Sequence, residues 1–323
     1  MNLPFISDPD GISNNDYHHS DQFKEFKSST AFKDWLISPK YARYKELNPE
    51  PEVYNPAFAM GSIWHDMLAA LVNTGKADNF KKNWEIFEPP INETTGQPYG
   101  TTTNKFKDAL DIATEKANGR ELCSMQDVET ARNMIKELTA GNPHLSKDIN
   151  FLIRRGKAEI SHFCEYEGYK FKYRTDLKTA SKIIDWKTCP LGTAIPSEIH
   201  RQIIKFNYHI SAAFYQFFDH LITGEWRSFY WVFQEKEPPY DFIIESADNW
   251  AYEISRESDG TQIALPKIGA ITFNKLLEQY IHCRNNDDYQ GYSSMIQPGF
   301  REQRIHESKV PIWYENMLLE YFN

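Results

Sequence analysis

Asp176, Asp185 and Lys187 are the side chains whose types and spacing most directly suggest chemistry. Lys182 to Thr188 reads as a β-strand, and alternation along it puts Asp185 and Lys187 on one face and Trp186 on the other. A carboxylate and an ammonium one strand repeat apart can pair a metal ligand with a cation that binds phosphate or orients water. Asp176 lies near the end of the preceding strand-like run, Tyr169 to Leu177. A turn centred between Ala180 and Ser181 sets Asp176 directly opposite Asp185, with Cβ atoms about 5 Å apart. Two like charges this close favour a proton on one of them or a bound cation. Oxygen ligands suit a hard divalent ion, Mg²⁺ or Mn²⁺. The same spacing also fits a surface hairpin whose charges Lys178 and Lys182 neutralise. Glu159, one strand earlier, is placed either to add a third carboxylate or to be a solvated strand residue. His65 in GSIWHDM sits early on a helix, where it can turn a ring nitrogen to the cluster or serve structurally.

These residues need a scaffold, and the chain spells one out. Residues 1–27 are polar and turn-rich, an N-terminal arm. Helices are expected over Ser28–Ile37, ended by Ser38-Pro39, and over Ser62–Asn73, stopped by Gly75. Residues 76–104 look irregular, and helices follow near 105–117 and 125–140. From about Arg154 the pattern changes to three strands, Lys157–Tyr166, Tyr169–Leu177 and Lys182–Thr188, the middle one strictly alternating. One long amphipathic helix is expected from Ser197 to Thr223, with Ile199, Ile203, Phe206, Ile210, Phe214, Phe217 and Leu221 as its apolar stripe. On such a helix Arg201, Tyr208, Ser211 and Tyr215 fall within roughly 80° of one another. Strands near 226–235 and 239–246, a helix near 271–284 and an aromatic tail complete the chain. The expected class is α/β (α+β), with a helical part over 28–150, a catalytic sheet and helix core over 151–250 and a C-terminal helix and tail over 251–323, all in one domain.

Bulk properties bound the function. The net charge is −9, which by itself argues against nucleic acid, yet between Arg154 and Lys187 nine Lys/Arg face five Asp/Glu. A basic strip on an acidic body suits a protein that admits a polyanion at one place. No apolar run is long enough to span a membrane, and the N-terminus lacks the pattern of a signal peptide, so a cytoplasmic protein is expected. The four cysteines are scattered, without zinc or iron–sulfur spacing.

YRTDLKTASKIIDWKT resembles the core motif of PD-(D/E)xK nucleases, in which an Asp ends one strand and a D/E-x-K tripeptide lies on the next. GSIWHDM resembles the helical histidine motif of the RecB-like and exonuclease VIII-like (RecE-type) branch, and NYHISAAFYQ resembles the segment that follows in exonuclease VIII relatives. The opening GISNNDYHHS…SSTAFKDWLISPKYAR is similar to theirs too. The resemblance implies a restriction-endonuclease-like core, a central mixed sheet flanked by helices. It implies that Asp176, Asp185, the Trp186 backbone carbonyl and His65 bind Mg²⁺, or Mn²⁺ in its place. Lys187 then positions or activates water, and Glu159 orders the site. Arg174, Arg201, Tyr208, Ser211 and Tyr215 are the candidate substrate-binding residues. One departure stands out: relatives place Gln four residues before the helical Tyr, whereas Ser211 precedes Tyr215 here. Ser211 has less reach to a phosphate, and Gln202 projects from another face.

The implied activity is 5′-to-3′ exonuclease action on linear duplex DNA, leaving 3′ single-stranded tails for recombination or repair. Double-stranded DNA ends, a single-strand annealing recombinase and further copies of the chain in a ring are the implied partners. The alternatives are a RecB-like single-strand nuclease or endonuclease, and an inactive nuclease fold serving as a DNA-binding or scaffolding subunit.

Overall fold

The computed structural model describes residues 5–6, 11–49 and 56–291; the aromatic tail lies beyond them. The chain opens with β1 (Phe5–Ile6), α1 (Asn14–His19), a 3₁₀ turn at Asp21–Phe23, α2 (Ser29–Trp35), α3 (Pro39–Leu47) and α4 (Pro56–Thr74). A 3₁₀ segment (Ala77–Asn83) leads to β2 (Trp84–Ile86), α5 (Asn104–Ala117), β3 (Glu121–Cys123), α6 (Met125–Ala140) and α7 (Leu145–Arg155). Three long strands follow, β4 (Lys157–Tyr166), β5 (Tyr169–Lys178) and β6 (Lys182–Cys189). The chain then runs through α8 (Pro196–Lys205), α9 (Tyr208–Thr223), β7 (Ser228–Glu235), β8 (Phe242–Ser246), β9 (Tyr252–Arg256), β10 (Gln262–Pro266) and α10 (Ile268–Asn286).

The main sheet has the order β1-β4-β5-β6-β7-β8. Its pairs are antiparallel except β6–β7, which are parallel because α8 and α9 carry the chain back across the sheet between them. The mixed α/β class expected from the sequence is the one observed. Helices cover both faces, and the two-residue period of the strands divides two cores. Ile183, Phe229, Trp231 and Phe233 join Phe32 of α2, Phe214 and Phe218 of α9, and Phe273 of α10 on one side. Ile184, Trp186 and Val232 join Ile63, Trp64 and Met67 of α4 and Val128 and Ala131 of α6 on the other.

Element boundaries follow local chemistry. Gly75 at φ 74° ends α4, and Gly224 at φ 74° ends α9, both in the left-handed region where a Cβ is costly. Ser38 does more than stop a helix: its hydroxyl accepts from Tyr41 N at 3.1 Å and starts α3, with Pro39 in the first turn.

The single helix expected over 197–223 is two helices. Asn207 takes φ 54°, a conformation that Asn tolerates better than most residues, and the chain turns there. The apolar stripe breaks at the same place, since Phe206 is exposed while Ile203 and Ile210 are buried. Arg201 therefore does not share a helix with Tyr208, Ser211 and Tyr215. Two further expectations change. The irregular stretch 76–104 holds a 3₁₀ segment and a short strand, and the arm is built into the sheet, with Phe5 opposite Phe163 at its edge.

Candidate active site

The β5–β6 ladder pairs Leu177 with Ile184 and Lys178 with Ile183, and then stops. One step further on, the register would put Asp176 beside Asp185, but the strands part there. Instead the Asp176 carboxylate accepts from Trp186 N at 2.7 Å, taking the place of a ladder bond. On the other side of β5 the pairing also lapses at this level. Ala158–Leu177 and Ile160–Thr175 are paired, whereas Glu159 and Asp176 between them are not, and Glu159 adopts φ 57°. A non-glycine residue in that region carries roughly 1–2 kcal/mol of strain. The alternation of β5 breaks here too: Tyr173 and Lys178, five residues apart, both bond Asp219 on the same face. Irregularities of this kind re-aim side chains, and this one gathers carboxylates from three adjacent strands.

His65 arrives from α4. The helix is seated by Ile63, Trp64, Met67 and Leu68, all buried, with Trp64 edge-on to Trp186. Two turns further along, Asn73 clamps α4 to β4: its Nδ2 donates to Ala158 O at 3.2 Å and its Oδ1 accepts from Ala158 N at 3.0 Å. The clamp falls one residue before Glu159, so it sets helix and carboxylate relative to each other. His65 Nδ1 then lies 3.6 Å from Asp176 Oδ2, and the ring bonds the Trp186 backbone. Ligand atoms of His65, Glu159 and Asp176 all lie within 4.8 Å of one another. Asp185 stands beside them, bonded to Lys187 Nζ at 2.6 Å.

Electrostatics makes this cluster incomplete by itself. Burial, with the Asp185 charge, pushes Asp176 up to about 8, and burial, with the Asp176 charge, pushes Glu159 up to about 8. Burial, with the Lys187 charge, holds His65 down to about 4, so its imidazole is neutral at physiological pH. Burial works against the Lys187 charge, but Asp185 and Asp176 outweigh it and raise the ammonium to about 12. Half-buried carboxyls pushed toward their protonated forms, beside a neutral imidazole, are a donor set that a divalent cation can complete by displacing protons. The residues fit a metal.

The other expected site residues divide. Tyr208 places its ring 5.1 Å from Lys187 Nζ. Tyr215 is half-buried, close enough to Asp185 and Asp176 to feel their charges, and bonds Ser29. Ser211 is half-buried between them on α9. Arg174 is engaged elsewhere: Nε donates to Ser161 Oγ at 2.8 Å, Nη2 donates to Ile12 O at 3.0 Å, and Nη1 lies 3.8 Å from Glu159. It steadies Glu159 and the arm rather than facing solvent. Arg201 is exposed on α8 and bonded to Glu198 at 2.6 Å. Sequence reading passed over Asn73, Lys33 and Asp66, the last a buried acid that accepts from Trp84 Nε1 at 2.6 Å. Asn73 lies on the exposed last turn of α4, and only tertiary packing reveals any of the three.

The family described as a PDDEXK-like domain of unknown function (DUF3799) matches residues 28–294, a stretch that contains every residue of this cluster. The chain belongs to that family. The PDDEXK-like fold also appears in a crystal structure from Eubacterium rectale named “Putative exonuclease”. That protein is 16% identical, with a TM-score of 0.51 over 94% of this chain and 97% of that one. At such identity the likeness speaks to fold. No curated protein matches the chain. Among the described residues of the PDDEXK-like domain, no helix is long and apolar enough to cross a membrane.

Proposed function

We propose that this chain is a divalent-metal-dependent nuclease that hydrolyses phosphodiester bonds of DNA. The observation that carries the reading is the meeting of His65, Glu159 and Asp176 within 4.8 Å, beside the Asp185–Lys187 pair, in a PDDEXK-like domain. These carboxylates, His65 and the Trp186 carbonyl would hold a divalent ion, which would supply a water of lowered pKa and neutralise charge on the phosphoryl oxygens. Mg²⁺ is the ion we favour, with Mn²⁺ as substitute.

The protein groups then have distinct duties. The Trp186 N–H fixes the orientation of Asp176. Lys187, whose proton Asp185 and Asp176 hold in the metal-free site, supplies a positive charge that holds a phosphoryl oxygen and orients water. Half-buried Tyr208 walls the Lys187 side of the site. The likeness of the motifs to exonuclease VIII relatives supports the finer reading. In it the substrate is the end of linear duplex DNA, degraded 5′ to 3′ in the cytoplasm for recombination or repair. A ring of copies and a single-strand annealing partner belong to the same reading.

End-labelled linear and closed circular duplex DNA, incubated with Mg²⁺ beside EDTA and Asp185→Ala controls, tests it. Release from linear DNA only, lost in both controls, is the expected result, and the label that leaves first gives the polarity. Cleavage of the circle would make the enzyme an endonuclease. Intact DNA of both forms with either Mg²⁺ or Mn²⁺ would overturn the nuclease reading.

A further inference from the structure

Lys33 projects from α2, far in sequence from the catalytic strands, yet its Nζ lies 5.3 Å from the centre of the same Tyr208 ring that Lys187 Nζ approaches at 5.1 Å. Its position is imposed by the core. Neighbouring Phe32 is fully buried against Phe171, Phe214, Phe273 and Tyr280, and Trp35 packs on Tyr280. Lys33 is half-buried, and among the described residues it forms no ion pair. Asp185 is the carboxylate that acts on it, and Asp185 is already bonded to Lys187. Burial and the Lys187 charge hold Lys33 down to about 8. Two ammonium groups against one aromatic ring, with Asp185 as the carboxylate acting on both, are short of one anion.

We propose that Lys33 and Lys187 form a two-lysine clamp on the Tyr208 ring for one phosphate of the DNA backbone, with Lys33 the binding and positioning member. The inference rests on the nuclease reading above and extends it to a residue outside the catalytic strands. A phosphate entering between the lysines relieves their repulsion and gives Lys33 its missing charge-assisted partner. The tyrosine ring keeps both ammonium groups poised while the site is empty of substrate.

The test uses the full chain carrying Lys33→Ala, Lys33→Gln or Lys33→Arg. On linear duplex DNA with Mg²⁺, the Ala and Gln variants are expected to raise KM about tenfold while kcat stays within about threefold, and to lower the salt slope of binding by about one contact. Lys33→Arg should keep both near the wild type. An unchanged KM and salt slope in Lys33→Ala overturns the clamp, as does a loss that Lys33→Arg fails to restore. A second readout needs no turnover: lysine acylation followed by mass spectrometry, with and without duplex DNA and with Ca²⁺ replacing Mg²⁺. Lys33 should be protected by the DNA, and equal labelling of Lys33 in both conditions overturns the clamp. Protection of Lys33 in a wild type that cleaves nothing would remove the nuclease reading and leave the clamp standing.

Discussion

Strand β5 carries two buried charge clusters only a few residues apart, and they are built on opposite plans. At Asp219 of α9 the carboxylate is fully buried and fully answered. Lys178 Nζ and Arg227 Nη1 pair with it, and Tyr173 donates its hydroxyl at 2.8 Å. At Asp176 the balance is reversed: Glu159, Asp176 and Asp185 share Lys187 and a longer contact to Arg174, 3.8 Å from Glu159. Asp219 ties β5, α9 and the start of β7 together. The Asp176 cluster ties little and is held in place by neighbours such as Asn73. A buried charge whose partners are complete reads as architecture; one whose partners are missing reads as a place for something to bind.

The comparison breaks most visibly at Asp219. Asp219→Ala leaves Lys178 and Arg227 buried without a counter-charge and should cost roughly 3–5 kcal/mol in urea unfolding. Asp185→Ala should remove cleavage with little change in the same melt. If the two variants behaved alike, the division into architectural and binding clusters would fail.

Metal should act on one cluster only. Glu159 and Asp176 have folded pKa values near 8, above their unfolded values near 4, so the metal-free fold binds more protons than the unfolded chain across that window. Its stability therefore falls as pH rises from about 4 to about 8. His65 and buried His162, held down to about 4 and about 3, work in the opposite sense until about pH 6.5, the ordinary His value. The decline should be clearest between about pH 6.5 and 8. Mg²⁺ at a hundredfold excess over its Kd should restore about 2.7 kcal/mol at neutral pH. Calorimetric Tm values over this range, with and without Mg²⁺, check both parts. A flat metal-free profile, or one that climbs, would contradict the protonated pair.

The smallest expected effect sharpens the contrast. Asn73→Ala unclamps α4 from Ala158 and should cost about 1–3 kcal/mol, since it leaves backbone groups of β4 unpaired. Because the clamp sets His65 against Glu159, Mg²⁺ affinity measured by calorimetry should weaken by roughly tenfold or more. Unchanged affinity would assign Asn73 to architecture alone.

Much of the fold was legible because strands and helices write their periods into the chain. The runs at 157–166, 169–177 and 182–188 differ from the observed strands by at most a residue at an end, and the 125–140 helix coincides with α6. The α/β class followed from their order. Helices α3 and α7 went unread, and so did the turn at Asn207, because one left-handed residue interrupts a helix without disturbing the apolar spacing on either side. The D-x-K tripeptide and the hairpin register were likewise readable, since both are local.

The amino-acid sequence by itself determined the three long central strands and that Asp185 and Lys187 point the same way. Tertiary structure decided the rest. It parted β5 from β6 beside Asp176, turned Glu159 through a left-handed backbone, brought His65 in on α4 and set Lys33 on Tyr208. Periodicity is a property of neighbours along the chain. The closing of a site depends on packing between elements as far as 175 residues apart, as Lys33 and Tyr208 are, and no local pattern encodes that distance.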